Sequence, residues 1–133
     1  MGATGITMKI AALDHFVLTV ASIEATCVFY ASVLGMTVID FAVSRKALAF
    51  GSQKINLHQA GREFEPKALR PVRGSADFCL ICEGPLDDVM AHLASLGVTI
   101  EDGPVQRTGA MGPIRSVYVR DPDLNLIEIA EYI

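Results

Sequence analysis

The chain has no tryptophan and only three cysteines, Cys27, Cys79 and Cys82, in 133 residues. Three thiols are too few for a secreted disulfide scaffold. Cys79 and Cys82 spell C-x-x-C, but they lie in the strand-like run Asp77-Phe-Cys-Leu-Ile-Cys82. Residues three apart on a strand point to opposite faces, so both are read as reduced, packed thiols and not as a metal or redox pair. Positive charge is also scarce: 11 Lys and Arg stand against 15 Asp and Glu, for a net charge of -4 and a pI near 5.2. That balance provides no cationic field for nucleic acid or anionic lipid, and neither partner is expected. No apolar run approaches the roughly 20 residues that span a bilayer, and no basic segment leads into an apolar one near the start. A membrane association is not expected, and a cytoplasmic location is.

What the chain does have is apolar material, 51% of residues against 20% charged, enough for a core. Its length predicts one domain over 1–133. Leu13 to Val20 reads as a strand. Ser22 can cap a helix whose apolar face is Ile23, Cys27, Tyr30 and Leu34, and Gly35 stops it. Short strands are predicted over 36–43, 47–50 and 54–59, with Ser44-Arg45-Lys46 as a turn. Residues 60–75 show neither periodicity and hold two prolines and two glycines, as a surface connection would. After them comes a strand over 76–82. A helix follows from about Pro85 to Gly97, then strands around Thr99, around Val117 and over 125–132.

The order therefore restarts. Leu34-Gly-Met-Thr-Val38 matches Leu96-Gly-Val-Thr-Ile100, 62 positions on from 34 to 96, and the same step carries His15-Phe-Val-Leu onto Asp77-Phe-Cys-Leu. Matches in a strand, a helix and its exit at one offset predict an α+β fold of two tandem βαβββ modules, about 11–59 and about 76–133. At the module ends, Ile55-Asn-Leu-His58 is aligned with Asn125-Leu-Ile-Glu128 at an offset of 70. The 8 extra residues of the second copy are assigned to the glycine-rich stretch Arg107–Pro113.

This repeat singles out four residues as candidate metal ligands: His15 with Asp77, and His58 with Glu128. Strand alternation puts His15 with Val17 and Thr19, and Asp77 with Cys79 and Ile81, on faces away from the helices. Four such groups on sheet faces need a partner, and a divalent cation supplies one. Two imidazoles and two carboxylates suit Zn, Ni, Co, Mn or Fe(II) better than Mg or Ca. His92, on the second helix, is read as structural.

The stretches Leu13–Val20, Phe29-Tyr-Ala-Ser-Val-Leu-Gly-Met36 and Val119-Arg-Asp-Pro-Asp-Leu-Asn-Leu-Ile-Glu128 resemble the vicinal oxygen chelate superfamily of glyoxalase I, bleomycin-resistance proteins, thiol transferases and extradiol dioxygenases. Lys54–Gly61, Glu63–Lys67 and Arg107–Pro113 are similar, more narrowly, to the glyoxalase domain-containing protein 5 type. The resemblance implies a half-open, barrel-like cleft with a metal held by His15, His58, Asp77 and Glu128. It also implies Glu128 as catalytic base, a small-molecule substrate and a homodimer. The implied activity is that of a glyoxalase-I-like, metal-dependent lyase or isomerase on a small oxygen-bearing substrate, such as a glutathione adduct, through a metal-stabilised enediolate. Alternatives are a thiol transferase or extradiol dioxygenase in the same cleft, or a non-catalytic protein that sequesters a drug or metabolite. The chain departs from glyoxalase I by exchanging ligand types: His58 stands for a glutamate and Asp77 for a histidine or glutamine. Leu124 replaces the usual glycine of the Asp-Pro-Asp-Gly turn.

Overall fold

A computed structural model describes residue 5 and residues 7–133; the start of the expected 1–133 domain, residues 1–4 and 6, lies outside the described residues. The element order is β1 (His15–Val20), α1 (Ile23–Ser32), β2 (Thr37–Phe41), β3 (Arg45–Phe50), β4 (Gln53–Gln59), β5 (Asp77–Ile81), α2 (Leu86–Ser95), β6 (Asp102–Thr108), β7 (Pro113–Arg120) and β8 (Leu126–Tyr132). The two sheets have the same order, β1-β4-β3-β2 and β5-β8-β7-β6. In each, the first strand pairs parallel with the last and all other pairs are antiparallel. The repeat is therefore a repeat of topology, and the sheets stay separate without closing into a barrel, as a half-open cleft requires.

Local chemistry explains the helices. Ser22 adopts an extended conformation and its Oγ accepts from the Ala25 amide at 3.1 Å, so it is the N-cap of α1. Gly35 and Gly97 follow the two helices at φ +68° and +70°, where a side chain would be strained. His92 is structural, its Nε2 lying 3.0 Å from the Val33 carbonyl at the end of α1.

Three expectations are corrected. Residues 98–101 form no strand: the Val98 amide still bonds the carbonyl of Leu93 as the helix exit, and β6 begins only at Asp102. The ladder is interrupted between Asp102 and Val105, where Gly103-Pro104 removes a donor and hides the period of two. Arg45 and Lys46 are not a turn but the first residues of β3; the turn is 42–44, where Ala42 and Ser44 take positive φ. The extra residues of the second copy are not gathered in 107–113: the hairpin turn is 109–112 against 42–44, while β6 and β7 are 7 and 8 residues against 5 and 6 for β2 and β3, and the next turn is 121–125 against 51–52.

One core serves both modules. Leu18, Val20, Leu48, Ile55 and Leu57 of the first sheet join Val117, Val119, Ile127 and Ile129 of the second, with Tyr30, Leu86 and Leu93 from the helices. Phe16 and Phe78, the second residues of β1 and β5, meet edge to face at 5.1 Å between centroids. Polar ties reinforce the junction: the Tyr30 hydroxyl donates to Asp121 Oδ2 at 2.6 Å, and the Ala21 amide donates to Asp123 Oδ1 at 3.1 Å. Among the described residues no helix is long and apolar enough to cross a membrane.

Candidate functional site

Because the helix-side residues of both sheets go into the shared core, the alternate residues line the other faces. On the first sheet these are His15, Val17 and Thr19 of β1 with Lys54, Asn56 and His58 of β4. On the second they are Asp77, Cys79 and Ile81 of β5 with Leu126, Glu128 and Ala130 of β8. All four expected ligands thus lie on the face predicted for them. Within one chain they do not converge: among the described residues no three His, Cys, Asp or Glu side chains come together to hold a metal.

His15 opens β1 and is exposed, with Nδ1 2.8 Å from the carboxylate of Asp14. Asp77 occupies the same place on β5 and is also exposed. Glu128 is half-buried, and its Oε2 accepts from the Ser116 hydroxyl of β7 at 2.6 Å. Cys79 pairs with Glu128 across the β5–β8 ladder. Cys79 is exposed, and not the packed thiol expected of it, because it lies on the sheet face away from the helices; partial burial of its sulfur, and then the Glu128 charge, push the thiol up to about 11.

His58 is different. It is 3% exposed, and its Nε2 lies 3.2 Å from an Arg45 guanidinium nitrogen. Burial and then the Arg45 charge hold its imidazole below the ordinary histidine value, so the ring is neutral. Phe64, from the connection 60–75, sits edge to face on the ring at 5.5 Å. The Arg45 guanidinium lies 4.3 Å from the Phe64 centroid and 5.0 Å from that of Phe41, and Lys54 Nζ lies 3.8 Å from Phe41. His58 Nδ1, Asn56 Oδ1 and Arg45 Nε are buried with no hydrogen-bond partner.

The ladders also correct the repeat alignment at the module ends. Val17 pairs with Asn56 and Thr19 with His58, whereas Cys79, the counterpart of Val17, pairs with Glu128. Asn56 is therefore the equivalent of Glu128, and His58 that of Ala130, two residues or roughly 7 Å further along the strand. A two-residue slip keeps every side chain on its face, so alternation alone could not detect it. With a guanidinium at 3.2 Å, His58 is poorly placed for a second cation. As donors, His15, Asp77 and Glu128 supply one imidazole and two carboxylates, and Asn56 adds a buried, unpartnered carbonyl oxygen; these fit a divalent transition metal.

Arg45, Lys54, Asn56, Phe41, Phe64 and Ser116 were not singled out from the sequence. For Lys54 and Asn56 the signal was the alternation of β4 about His58, whereas Arg45 was hidden in an apparent turn and Phe41, Phe64 and Ser116 come from other segments. Much of the connection 60–75 is charged and exposed, and Arg73 reaches Asp123 at 3.5 Å.

Comparison with known proteins bears on this site. A family model described as Glyoxalase/Bleomycin resistance protein/Dioxygenase superfamily matches residues 12–129. "Virulence protein STM3117" of Salmonella typhimurium is 55% identical over 128 residues, covering 96% of this chain and 89% of that one. Its crystal structure superposes with a TM-score of 0.94 over 95% of this chain and all of that one. "Glyoxalase domain-containing protein RDO1" of Mycosarcoma maydis is 53% identical over 125 residues, covering 94% of this chain and 70% of that one. The integron cassette protein VCH_CASS1 from the V. cholerae mobile metagenome is 57% identical, with a TM-score of 0.94, covering 96% of this chain and 100% of that one.

Proposed function

The chain belongs to the Glyoxalase/Bleomycin resistance protein/Dioxygenase superfamily, and from that premise we propose that it is a cytoplasmic, metal-dependent enzyme of the glyoxalase-I kind. Its substrate is a small molecule with two neighbouring oxygens, a glutathione adduct of a 2-oxoaldehyde being the first to test. The working unit is a homodimer in which the first sheet of one copy faces the second sheet of the other. The observation that carries this is the pair of polar faces, His15 with Asn56 and Asp77 with Glu128, which one chain leaves apart. Val17 and Ile81, 44% and 51% exposed on those same faces, supply apolar surface for a second copy to cover.

His15, Asp77 and Glu128, with Asn56 beside them, would hold a divalent ion (Zn, Ni, Co, Mn or Fe). When bound, such an ion supplies Lewis acidity to neighbouring substrate oxygens. Glu128 does the proton chemistry. The Ser116 hydroxyl fixes Oε2 and orients the carboxylate, and Oε1 takes a proton from one substrate carbon and returns it to the next. Replacement of Glu128 by Gln keeps the shape and the Ser116 contact but removes the base and a metal-holding carboxylate together, so turnover falls about 100-fold or more, and the fall is assigned to the base only in samples that keep their full metal content.

The test loads dialysed protein with each metal in turn and assays the methylglyoxal–glutathione hemithioacetal, with metal content and mass in solution measured on the same samples. Metal-loaded dimer without turnover on any metal overturns the lyase reading. A second reading, a metal-free protein that sequesters a small anion, is favoured by the guanidinium beside His58. Protein that retains no metal and stays inert, yet binds an organic anion, would establish it.

A further inference from the structure

The orphaned atoms on the first sheet form a set of their own. A guanidinium has only donors, so at the 3.2 Å contact Arg45 donates and His58 Nε2 accepts. With Nε2 accepting, the ring proton sits on Nδ1, where it is buried and finds no acceptor. Arg45 Nε is a second buried donor without an acceptor, and Asn56 Oδ1 a buried acceptor without a donor. His58 and Asn56 are 3% and 6% exposed. Buried polar groups are almost always paired, so three orphans on one face of the adjacent strands β3 and β4 mark a place for a ligand's polar atoms. Among the described residues no carboxylate forms an ion pair with Arg45 or Lys54, and Glu63, whose charge acts on His58, accepts from the Gly61 amide at 2.6 Å. The Phe41 and Phe64 rings lie against the guanidinium at 5.0 and 4.3 Å and give apolar walls, while its Nε is left without an acceptor.

Two donors beside one cation and one acceptor match a carboxylate that carries a hydroxyl on the adjacent carbon. We propose that the open face of the first sheet binds a small 2-hydroxycarboxylate, its carboxylate accepting from Arg45 Nε and His58 Nδ1, its hydroxyl donating to Asn56 Oδ1, and its apolar body against the outer edges of Phe41 and Phe64. This site needs none of the residues assigned to the metal except Asn56, and it operates without metal.

The experiment is calorimetric titration of the full chain in EDTA with mandelate, phenylacetate, which lacks the hydroxyl, and mandelamide, which lacks the charge. Mandelate is expected to bind at least tenfold more tightly than phenylacetate, and mandelamide not measurably. Arg45→Leu should abolish both acids' binding. Asn56→Ala should bring mandelate down to the level of phenylacetate and leave phenylacetate unchanged, a pattern that simple unfolding cannot produce. Ring 15N shifts of His58 should show an Nδ1-protonated ring whose signal moves with mandelate. Equal binding of mandelate and mandelamide, or full mandelate affinity in Arg45→Leu, overturns the proposal. So does absence of binding at millimolar mandelate, whether or not Arg45→Leu also converts a dimer to monomer; in that event the arginine serves the subunit contact. Absence of hemithioacetal turnover in the metal-loaded protein, with mandelate binding intact, would refute the enzyme reading alone.

Discussion

Replacement of Tyr30 by Phe isolates the tie between the two modules. Tyr30 is fully buried on α1, and its hydroxyl donates at 2.6 Å to Asp121 Oδ2, in the turn between β7 and β8. Asp121 Oδ2 also accepts from Asn125 Nδ2 at 2.9 Å, and Oδ1 from the amides of Asp123 and Asn125. The carboxylate therefore keeps partners in the variant, and the ring is retained, so the loss is one buried, charge-assisted hydrogen bond of about 1.5–3 kcal/mol. At about 4 °C per kcal/mol for a chain of this size, Tm should fall by about 6–12 °C. Burial first, and then the Asp121 bond, raise the Tyr30 phenol well above its ordinary value of 10.0. A group whose folded pKa is raised stabilises the fold fully below the unfolded pKa and loses that contribution as pH climbs beyond it. The advantage of the wild type over Tyr30→Phe should thus be constant from pH 7 to about 9 and be smaller by about 1.4 kcal/mol at pH 11, about 1 kcal/mol of it lost between pH 10 and 11. With no tryptophan to report, urea unfolding is followed by far-UV circular dichroism, under reductant for the three thiols. A variant within about 0.5 kcal/mol of wild type at pH 7, or a difference unchanged at pH 11, would refute the inter-module role of this bond.

Two backbone positions yield predictions of opposite sign. Gly103 has φ +100°, and a Cβ there would meet the Ser116 carbonyl oxygen at 2.4 Å and Val117 Cα at 3.0 Å. Both are backbone of β7, so Gly103→Ala should cost about 2–4 kcal/mol in urea unfolding, and a cost below about 1 would show that the β6 bulge is soft. Leu124 has φ +69° and is 67% exposed, a branched side chain in the left-handed region with little packing to lose. Leu124→Gly should raise stability by up to about 1 kcal/mol, and a loss of that size would show that its side chain makes contacts worth the strain.

The residues themselves determined what depends on short-range periodicity. Ser22 as cap, Gly35 and Gly97 as helix exits, the alternation of β1 and β5, and the step from His15 to Asp77 are local patterns, and all reappear in the fold. The four candidate ligands were legible to the extent of their sheet face. Their register was not, because a strand shifted by two residues keeps the same inward and outward sets; only hydrogen bonds to β1 and β5, residues far away in the chain, put Asn56 and not His58 in line with Glu128. Nor could periodicity reveal Arg45, which resembles a turn residue beside Ser44 until β2 and β4 pair with its strand. The tertiary structure alone decided that the helix-side faces share one core and that, among the described residues, no three of the candidate ligands come together within a chain. The physical reason is the same throughout: side-chain direction is set by neighbours in sequence, whereas register and convergence are set by pairing and packing between segments distant in it.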